Sequence, residues 1–347
     1  MPNRGAVRLL VLLLTTVLLA VGGRASADVD VPRPVLNVDF PDPAVVETPG
    51  GLVAYSTGDR VPYAWARRAD GTWQRGRGVL THRPTWSREG GVWAVDVVRV
   101  SGVWLLYYAT PVQGMGEHGR CIGVARSSSA RGPFRPVGSA PLVCPSYAKV
   151  PTAQDPMLPR DPTLPRAGVI DPSFFRDADG TPYLVYKTDR TPSSIRLVQL
   201  NDEGQGVSAG ATSVELVRSA GVLENPSLVV RPEGYVLLLS EGDWTRCGYR
   251  TRWIRSATLG DWTVPETGML LDTATTGLCG PGGADVVDDG ATRLFLHGWT
   301  CRGTTSPCTG QGKWDHKPRQ RGIRAMYAAT LEWPGGVPQV TGWLEPR

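Results

Sequence analysis

The sequence predicts an all-β protein, a single domain folded as a five-bladed propeller, on three observations. Five stretches set a carboxylate at the start of an apolar strand: Asp42-Pro-Ala-Val-Val, Asp96-Val-Val-Arg-Val, Asp171-Pro-Ser-Phe-Phe, Glu224-Asn-Pro-Ser-Leu and Asp285-Val-Val. Each leads through a turn to a second apolar strand that carries an aromatic. These are Leu52-Val-Ala-Tyr-Ser, Val103-Trp-Leu-Leu-Tyr-Tyr, Tyr183-Leu-Val-Tyr-Lys, Tyr235-Val-Leu-Leu-Leu-Ser and Leu294-Phe-Leu-His-Gly. The strand starts at 42, 96, 171, 225 and 285 lie 54, 75, 54 and 60 residues apart. A repeat of that period built from strands alone is the mark of propeller blades.

Ahead of the first blade, Arg4 and Arg8 precede an apolar run from Leu9 to Val21, and Ala25-Ser26-Ala27 offers a small-residue cleavage site. That pattern reads as a secretory signal over residues 1–27, since a spanning helix needs about 20 apolar residues. Removing it takes three arginines and no acid, so the net charge falls from +5 to +2, with 34 basic against 32 acidic residues. No basic stripe remains, which excludes nucleic acid as an expected partner.

Turn chemistry punctuates the blades at Pro49-Gly50-Gly51, Asp70-Gly71, Ser101-Gly102, Asp177-Ala-Asp-Gly180 and Asp288-Asp-Gly290. Such residues tolerate the positive φ of tight hairpins. No window of 11 or more mature residues shows a helical apolar period. The long interval between blades two and three has its own cause. Pro145 to Gly168 carries prolines at 145, 151, 156, 159, 162 and 165, a loop expected either to lie over the funnel rim and shape the cleft or to be a passive surface excursion.

All six cysteines fall in the mature part, as an oxidising compartment allows. Fifteen pairings are open; proximity favours Cys121 with Cys144, Cys247 with Cys279 and Cys301 with Cys308. Zinc is disfavoured, because there is no CxxC pair and no pair of histidines at ligand spacing.

Strands that start along a propeller axis bring their acids to one funnel. Hydrolysis of a glycosidic bond requires a protonated carboxyl for the leaving oxygen and an ionised one for water or sugar. A third acid nearby can hold the donor protonated by repulsion. Asp42, Asp171 and Glu224 meet that demand from blades one, three and four. Glu224 stands one residue earlier relative to its proline and has a longer side chain, which suits a donor reaching from a different angle. The alternative, that such acids only cap turns, weakens when three recur in one repeat.

At these residues the chain resembles glycoside hydrolase family 43, the five-bladed arabinanase, α-L-arabinofuranosidase and β-xylosidase group. The likeness runs over about residues 38–333. It is carried by Phe40-Pro-Asp42-Pro-Ala-Val, Trp93-Ala-Val-Asp96-Val, Cys121-Ile-Gly-Val-Ala-Arg-Ser, Gly132-Pro-Phe134, Val169-Ile-Asp171-Pro-Ser-Phe-Phe, Tyr183-Leu-Val-Tyr-Lys-Thr-Asp189, Glu224-Asn-Pro-Ser-Leu-Val and Leu296-His-Gly-Trp299. The resemblance implies a secreted inverting hydrolase of arabinose-containing polysaccharides, with Asp42 as general base, Asp171 as modulator and Glu224 as general acid. Xylan side chains are the alternative substrate; a non-catalytic sugar-binding propeller and a retaining β-fructosidase are the competing readings.

The chain departs from the family at Trp93-Ala-Val-Asp96, where Trp-Ala-Pro-Asp is frequent, and at Gly280-Pro-Gly-Gly283, where a histidine often closes the motif. His297 resembles a family histidine that helps hold a calcium or other ion, largely through waters, and the resemblance implies a structural ion there and no cofactor in the chemistry; a hydrogen-bonded core histidine is the alternative. Substrate contacts are expected from Trp93, Asp96 and Arg324, with Trp65, Trp86, Trp244 and Trp299 as further sugar-stacking candidates. A monomer is expected, with a polysaccharide or oligosaccharide partner and no membrane partner after signal cleavage.

Overall fold

The computed structural model describes Met1 and residues 30–151, 155–263, 265–288, 291–308 and 322–347, so the expected signal lies, but for Met1, outside the described residues. Five four-stranded antiparallel sheets form the five blades of a single-domain propeller, each built from strands consecutive in sequence. Blade one holds β1 (Ala44–Thr48), β2 (Gly51–Tyr55), β3 (Tyr63–Ala66) and β4 (Gln74–Gly76). Blade two holds β5 (Trp93–Val100), β6 (Val103–Pro111), β7 (Arg120–Ser127) and β8 (Arg135–Pro136). Blade three holds β9 (Val169–Arg176), β10 (Pro182–Thr188), β11 (Ser193–Gln199) and β12 (Val214–Ser219). Blade four holds β13 (Leu223–Arg231), β14 (Gly234–Glu241), β15 (Arg250–Ser256) and β16 (Glu266–Leu271). Blade five holds β17 (Cys279–Asp288), β18 (Thr292–Cys301), β19 (Gly322–Glu332) and β20 (Gln339–Trp343). One helical turn, α1 (Thr273–Thr276), joins blades four and five, and Asp272 caps it through a bond from Thr275 N–H.

Apolar clusters fill the seams between successive blades. Tyr55 and Val53 meet Leu106 and Tyr108 between blades one and two, and Leu105 and Tyr107 meet Leu184 and Tyr186 between two and three. Val185 and Ile195 meet Leu237 and Leu239 between three and four. Leu238 and Trp253 meet Leu294 and Leu296 between four and five, and Ala54 and Ala64 meet Phe295 and Met326 where five returns to one. Burying each such leucine or tyrosine is worth about 1.5–3 kcal/mol, so the seams dominate the stability of the ring. Closure is reinforced by the segment ahead of β1. Leu36 exchanges backbone bonds with Met326 of β19, and Asp39 Oδ1 accepts from Arg324 N.

The three disulfides are Cys121–Cys144, Cys247–Cys279 and Cys301–Cys308, the pairs that proximity favours. The described residues of the Pro145–Gly168 loop lie along the surface and not over the funnel. Its first residues, Tyr147 and Ala148, pack against Val112 and Met115 beside blade two, Pro156 O accepts from Ser213 N and Asp161 pairs with Arg218 of blade three, and Tyr147 OH donates to Ala167 O within the loop. None of its described residues reaches the large cavity described below. The prolines deny the loop ladder bonds of its own, and of its two acids Asp161 binds Arg218 of β12 while Asp155 accepts from Ser146 N and Met157 N within the loop.

The innermost strands share a feature that sequence alignment by carboxylates misplaces. Asp42, Ala94, Asp171 and Asn225 have φ of 51°, 28°, 54° and 48°, and Gly283 has 61°. A left-handed residue stands at or just before the inner strand of every blade, and in blades two to five the pairing register slips there as in a bulge. The equivalent positions are therefore 42, 94, 171, 225 and 283. Asp96 and Asp285 stand two residues further along their strands, and Glu224 one residue before.

Candidate active site

A narrow channel of about 40 Å³ on the axis is lined by one triplet from each blade, Asp42–Ala44, Ala94–Asp96, Asp171–Ser173, Asn225–Ser227 and Gly283–Asp285. Above it opens a cavity of about 460 Å³. Asp42, Asp171 and Glu224 line the cavity together with Trp93, His118, Asp189, Arg190, Trp244 and Arg324. Left-handed backbone at Asp42 and Asp171 costs an L-residue energy, though aspartate tolerates it better than most. At both positions the left-handed backbone presents the carboxylate to the cavity.

Asp42 is held as a carboxylate. Its Oδ2 accepts from Thr57 Oγ1 at 2.8 Å and its Oδ1 from Asn225 Nδ2 at 3.4 Å, with Arg324 Nη1 at 3.6 Å. Burial opposes its ionisation, but the Arg324 guanidinium and the hydrogen bonds from Thr57 and Asn225 hold it below the usual carboxylate range. Thr57 also accepts from Ala94 N at 2.8 Å, tying Asp42 to blade two.

Asp171 lies on the other side of the ring, 7 % exposed, and its Oδ2 accepts from Asn225 N at 3.0 Å. Burial, and then the charge of Glu224, push it up to about 7 against the pull of Lys187 and the Asn225 N–H. A neighbouring negative charge makes the ionised form of Asp171 unfavourable. Glu224 accepts from Lys187 Nζ at 2.8 Å on Oε2 and from Tyr249 OH at 2.9 Å on Oε1. Asn225 Nδ2 donates to Tyr249 OH at 3.1 Å, so a polar chain runs from Asp42 through Asn225 and Tyr249 to Glu224.

Sequence reasoning missed Lys187, Tyr249, Asn225 and Thr57 as members of this site. Lys187 carried a signal, a lone cation in an apolar run, since a buried ammonium requires an acid partner.

Asp96 does not line the cavity, contrary to its expected substrate contact. Its Oδ1 accepts from Val97 N at 2.7 Å and its Oδ2 from Phe174 N at 2.5 Å, which binds blade two to blade three. Asp285 does the same for blades five and one, accepting from Val45 N at 2.7 Å. Burial pushes Asp96 up to about 8 and Asp285 to about 6.

Of the tryptophans, Trp93 and Trp244 face the cavity. His118 stacks on Trp93, and the Arg120 guanidinium lies 3.0 Å from the Trp93 ring centroid. Arg324, as expected, reaches the cavity and lies 4.7 Å from the Trp244 ring centroid. Trp299 is buried beneath Trp244, stacked at 6.3 Å. Trp86 packs on the Cys121–Cys144 bridge, and Trp65 lies on the outer side of blade one under Arg131. These three are packing residues, as their burial among apolar neighbours or away from the cavity dictates.

His297 is fully buried and stacked on Tyr249. Its Nδ1 lies 3.1 Å from Asp42 N. A backbone N–H only donates, so Nδ1 accepts and the ring proton sits on Nε2. Burial pushes His297 down to about 3, which keeps the ring neutral. Nε2 then presents an N–H, not a lone pair, and His297 does not fit a direct calcium ligand. Among the described residues no three His, Cys, Asp or Glu side chains group as a metal site. Gly283 is needed here, because a Cβ would come within 2.6 Å of His297 Nδ1. The histidine absent from the Gly-Pro-Gly-Gly motif could not be accommodated beside His297.

Comparison with known proteins agrees with this architecture. A family model for glycosyl hydrolases family 43 matches residues 31–334. A probable arabinan endo-1,5-α-L-arabinosidase A of Aspergillus niger is 31% identical over 122 residues, which is 34% of this chain and 37% of that protein. An extracellular exo-α-(1→5)-L-arabinofuranosidase of Cellvibrio japonicus is 31% identical over 102 residues, 28% of this chain and 26% of that protein. The chain thus matches only about a third of the length of these curated relatives. Among solved structures, a thermostable family-43 glycoside hydrolase superposes with a TM-score of 0.69 at 18% identity, covering 91% of this chain and 98% of the other. The α-L-arabinanase of Cellvibrio cellulosa gives 0.64 at 21% identity, with 87% and 95% covered, and shares the fold. With the family model spanning nearly the whole propeller, the chain belongs to glycosyl hydrolases family 43.

Proposed function

We propose that this protein is a secreted, inverting hydrolase of arabinose-containing polysaccharides, with Asp42 as base, Glu224 as acid and Asp171 as modulator. The observation that carries the reading is the electrostatic contrast inside one cavity. Asp42 is held ionised by Arg324, Thr57 and Asn225, while burial and the charge of Glu224 push Asp171 up to about 7. Asp42 takes a proton from a water that attacks the anomeric carbon, and Glu224 gives one to the departing oxygen on the opposite face. Asp171 disfavours a second negative charge on Glu224 and anchors Asn225, which touches both ends of the site. Trp93 and Trp244 supply flat faces for sugar rings.

Arabinose is favoured as substrate because both curated relatives reported above are named for arabinan chemistry. Secretion is supported by the charged-then-apolar leader, by three disulfides, and by the extracellular relative.

Product release from arabinan, arabinoxylan, xylan and galactan tests the reading, with Glu224→Gln as control. Free arabinose alone establishes exo action and arabino-oligosaccharides endo action. Xylose would move the substrate to xylan. No product from any polymer would leave a sugar-binding propeller.

A further inference from the structure

Lys187 is 3 % exposed, at the end of β10, where the other residues of the strand fill the seams. Burial alone would lower its affinity for a proton, but the charges of Glu224 and Asp171 outweigh that and hold it above its ordinary value. It is therefore a buried ammonium, with three donors and no acceptor.

The two contacts of Glu224 are not equivalent. Tyr249 OH, which donates to Oε1, can turn and accept instead, because a hydroxyl serves both ways. Lys187 Nζ, at 2.8 Å from Oε2, can only donate. A proton carried by Glu224 must therefore sit on Oε1. Around the pair stand Asp171 on β9, Asp189 just past β10 and Tyr249 ahead of β15. Asp42 follows beyond Asn225, with Arg324 and His297 on its far side.

We propose that Lys187 is a positioning residue for the proton donor: it ties down Oε2 of Glu224, leaves Oε1 to carry the transferable proton, and sets the alkaline edge of activity by favouring the carboxylate. This deepens the assignment of Glu224 as the acid and rests on it. Asp171 and Lys187 act on Glu224 in opposite senses, one resisting its charge and the other welcoming it.

The experiment is kcat/KM against pH for wild type, Lys187→Met and Lys187→Arg, on the panel polymer cleaved fastest. An aryl glycoside of the sugar released, with a leaving group that needs no proton, is the second substrate. In Lys187→Met the alkaline limb on the polymer should move up by about one pH unit, the scale of a lost opposite charge at this range. Lys187→Arg, which keeps the charge, should restore the wild-type limb if its larger head is accommodated. Thermal unfolding identifies a variant that has not folded, and Lys187→Gln then replaces Lys187→Met.

An alkaline limb that does not move in a folded, neutral variant overturns the role of Lys187. Glu224→Gln separates the two failures. If it spares the aryl glycoside and cripples the polymer, the acid assignment stands and only Lys187 is at issue. If it damages both equally, or if wild type cleaves neither substrate, the acid assignment falls and takes the proposal with it.

Discussion

Asp42 and Asp96 both begin an inner strand, yet they do different work. Asp42 stands on the left-handed residue before its inner strand and meets side chains: Thr57, Asn225 and Arg324. Asp96 stands two residues past that point and meets backbone: the amides of Val97 and Phe174. Asp96 spends its two oxygens on amides of neighbouring strands and does not line the cavity, so it does not meet a substrate water. Side-chain donors at the edge of an open cavity hold the charge and still leave access. The contrast teaches that a repeat makes positions equivalent only in register, and that a shift of two residues separates a catalytic candidate from a rivet between blades.

The sharpest way to break the comparison is to neutralise both. Asp42→Asn should cost roughly 10³-fold in kcat, within the range for loss of a general base, with little change in unfolding temperature, since asparagine tolerates the same backbone. Steady-state kinetics and calorimetry read both effects. Asp96→Ala should reverse the pattern. Leaving the Phe174 and Val97 amides without their acceptor should cost about 2 kcal/mol or more, while kcat in the surviving folded fraction changes only a few-fold. Equal kinetic damage from the two variants would erase the distinction.

The same comparison sharpens with pH. Asp96, Asp171 and Asp285 are raised to about 8, 7 and 6, against about 3.9 in an unfolded chain. Between these limits the folded protein holds more protons than the unfolded one, so stability should fall as pH rises from about 4 to 8. Asp42 contributes in the opposite sense, because its lowered value adds stability that is lost only as pH falls through the acid range. Unfolding temperature measured across that range checks the sign. A smaller effect is expected from Arg324→Met. Without the cation Asp42 ionises later, so the acid limb of kcat/KM should move up by up to about one unit. The smallest belongs to Trp65→Ala, which lies on the outer side of blade one and should leave KM for the polymer unchanged.

The blades and the three principal acids were legible because strand starts carry proline and carboxylate, and period-two apolar strands follow them. The register was not. Carboxylates align Asp42 with Asp96 and Asp285, whereas the bulges align it with Ala94 and Gly283, and a positive φ leaves no mark on an alanine. Lys187 and Tyr249 were hidden for a related reason. Each lies in or beside a buried strand, and only the approach of β13 from the next blade gives them Glu224 as partner. The proline-rich loop could be a lid or a surface excursion by length and composition, and its described residues found partners beside blades two and three.

Trp299 supports Trp244 from below, and around it gather Cys247, Cys279, Cys301 and Cys308. The two bridges they form close spans of 32 and 7 residues on blades four and five. The seams of the ring are apolar and owe nothing to these bridges, while one wall of the cavity leans on both. A preparation made in a reducing cytoplasm can therefore be soluble, folded and monodisperse and still lack the surface against which a sugar must rest. For this protein, yield and specific activity are separate quantities, and the thiol content of a sample is the measurement that connects them.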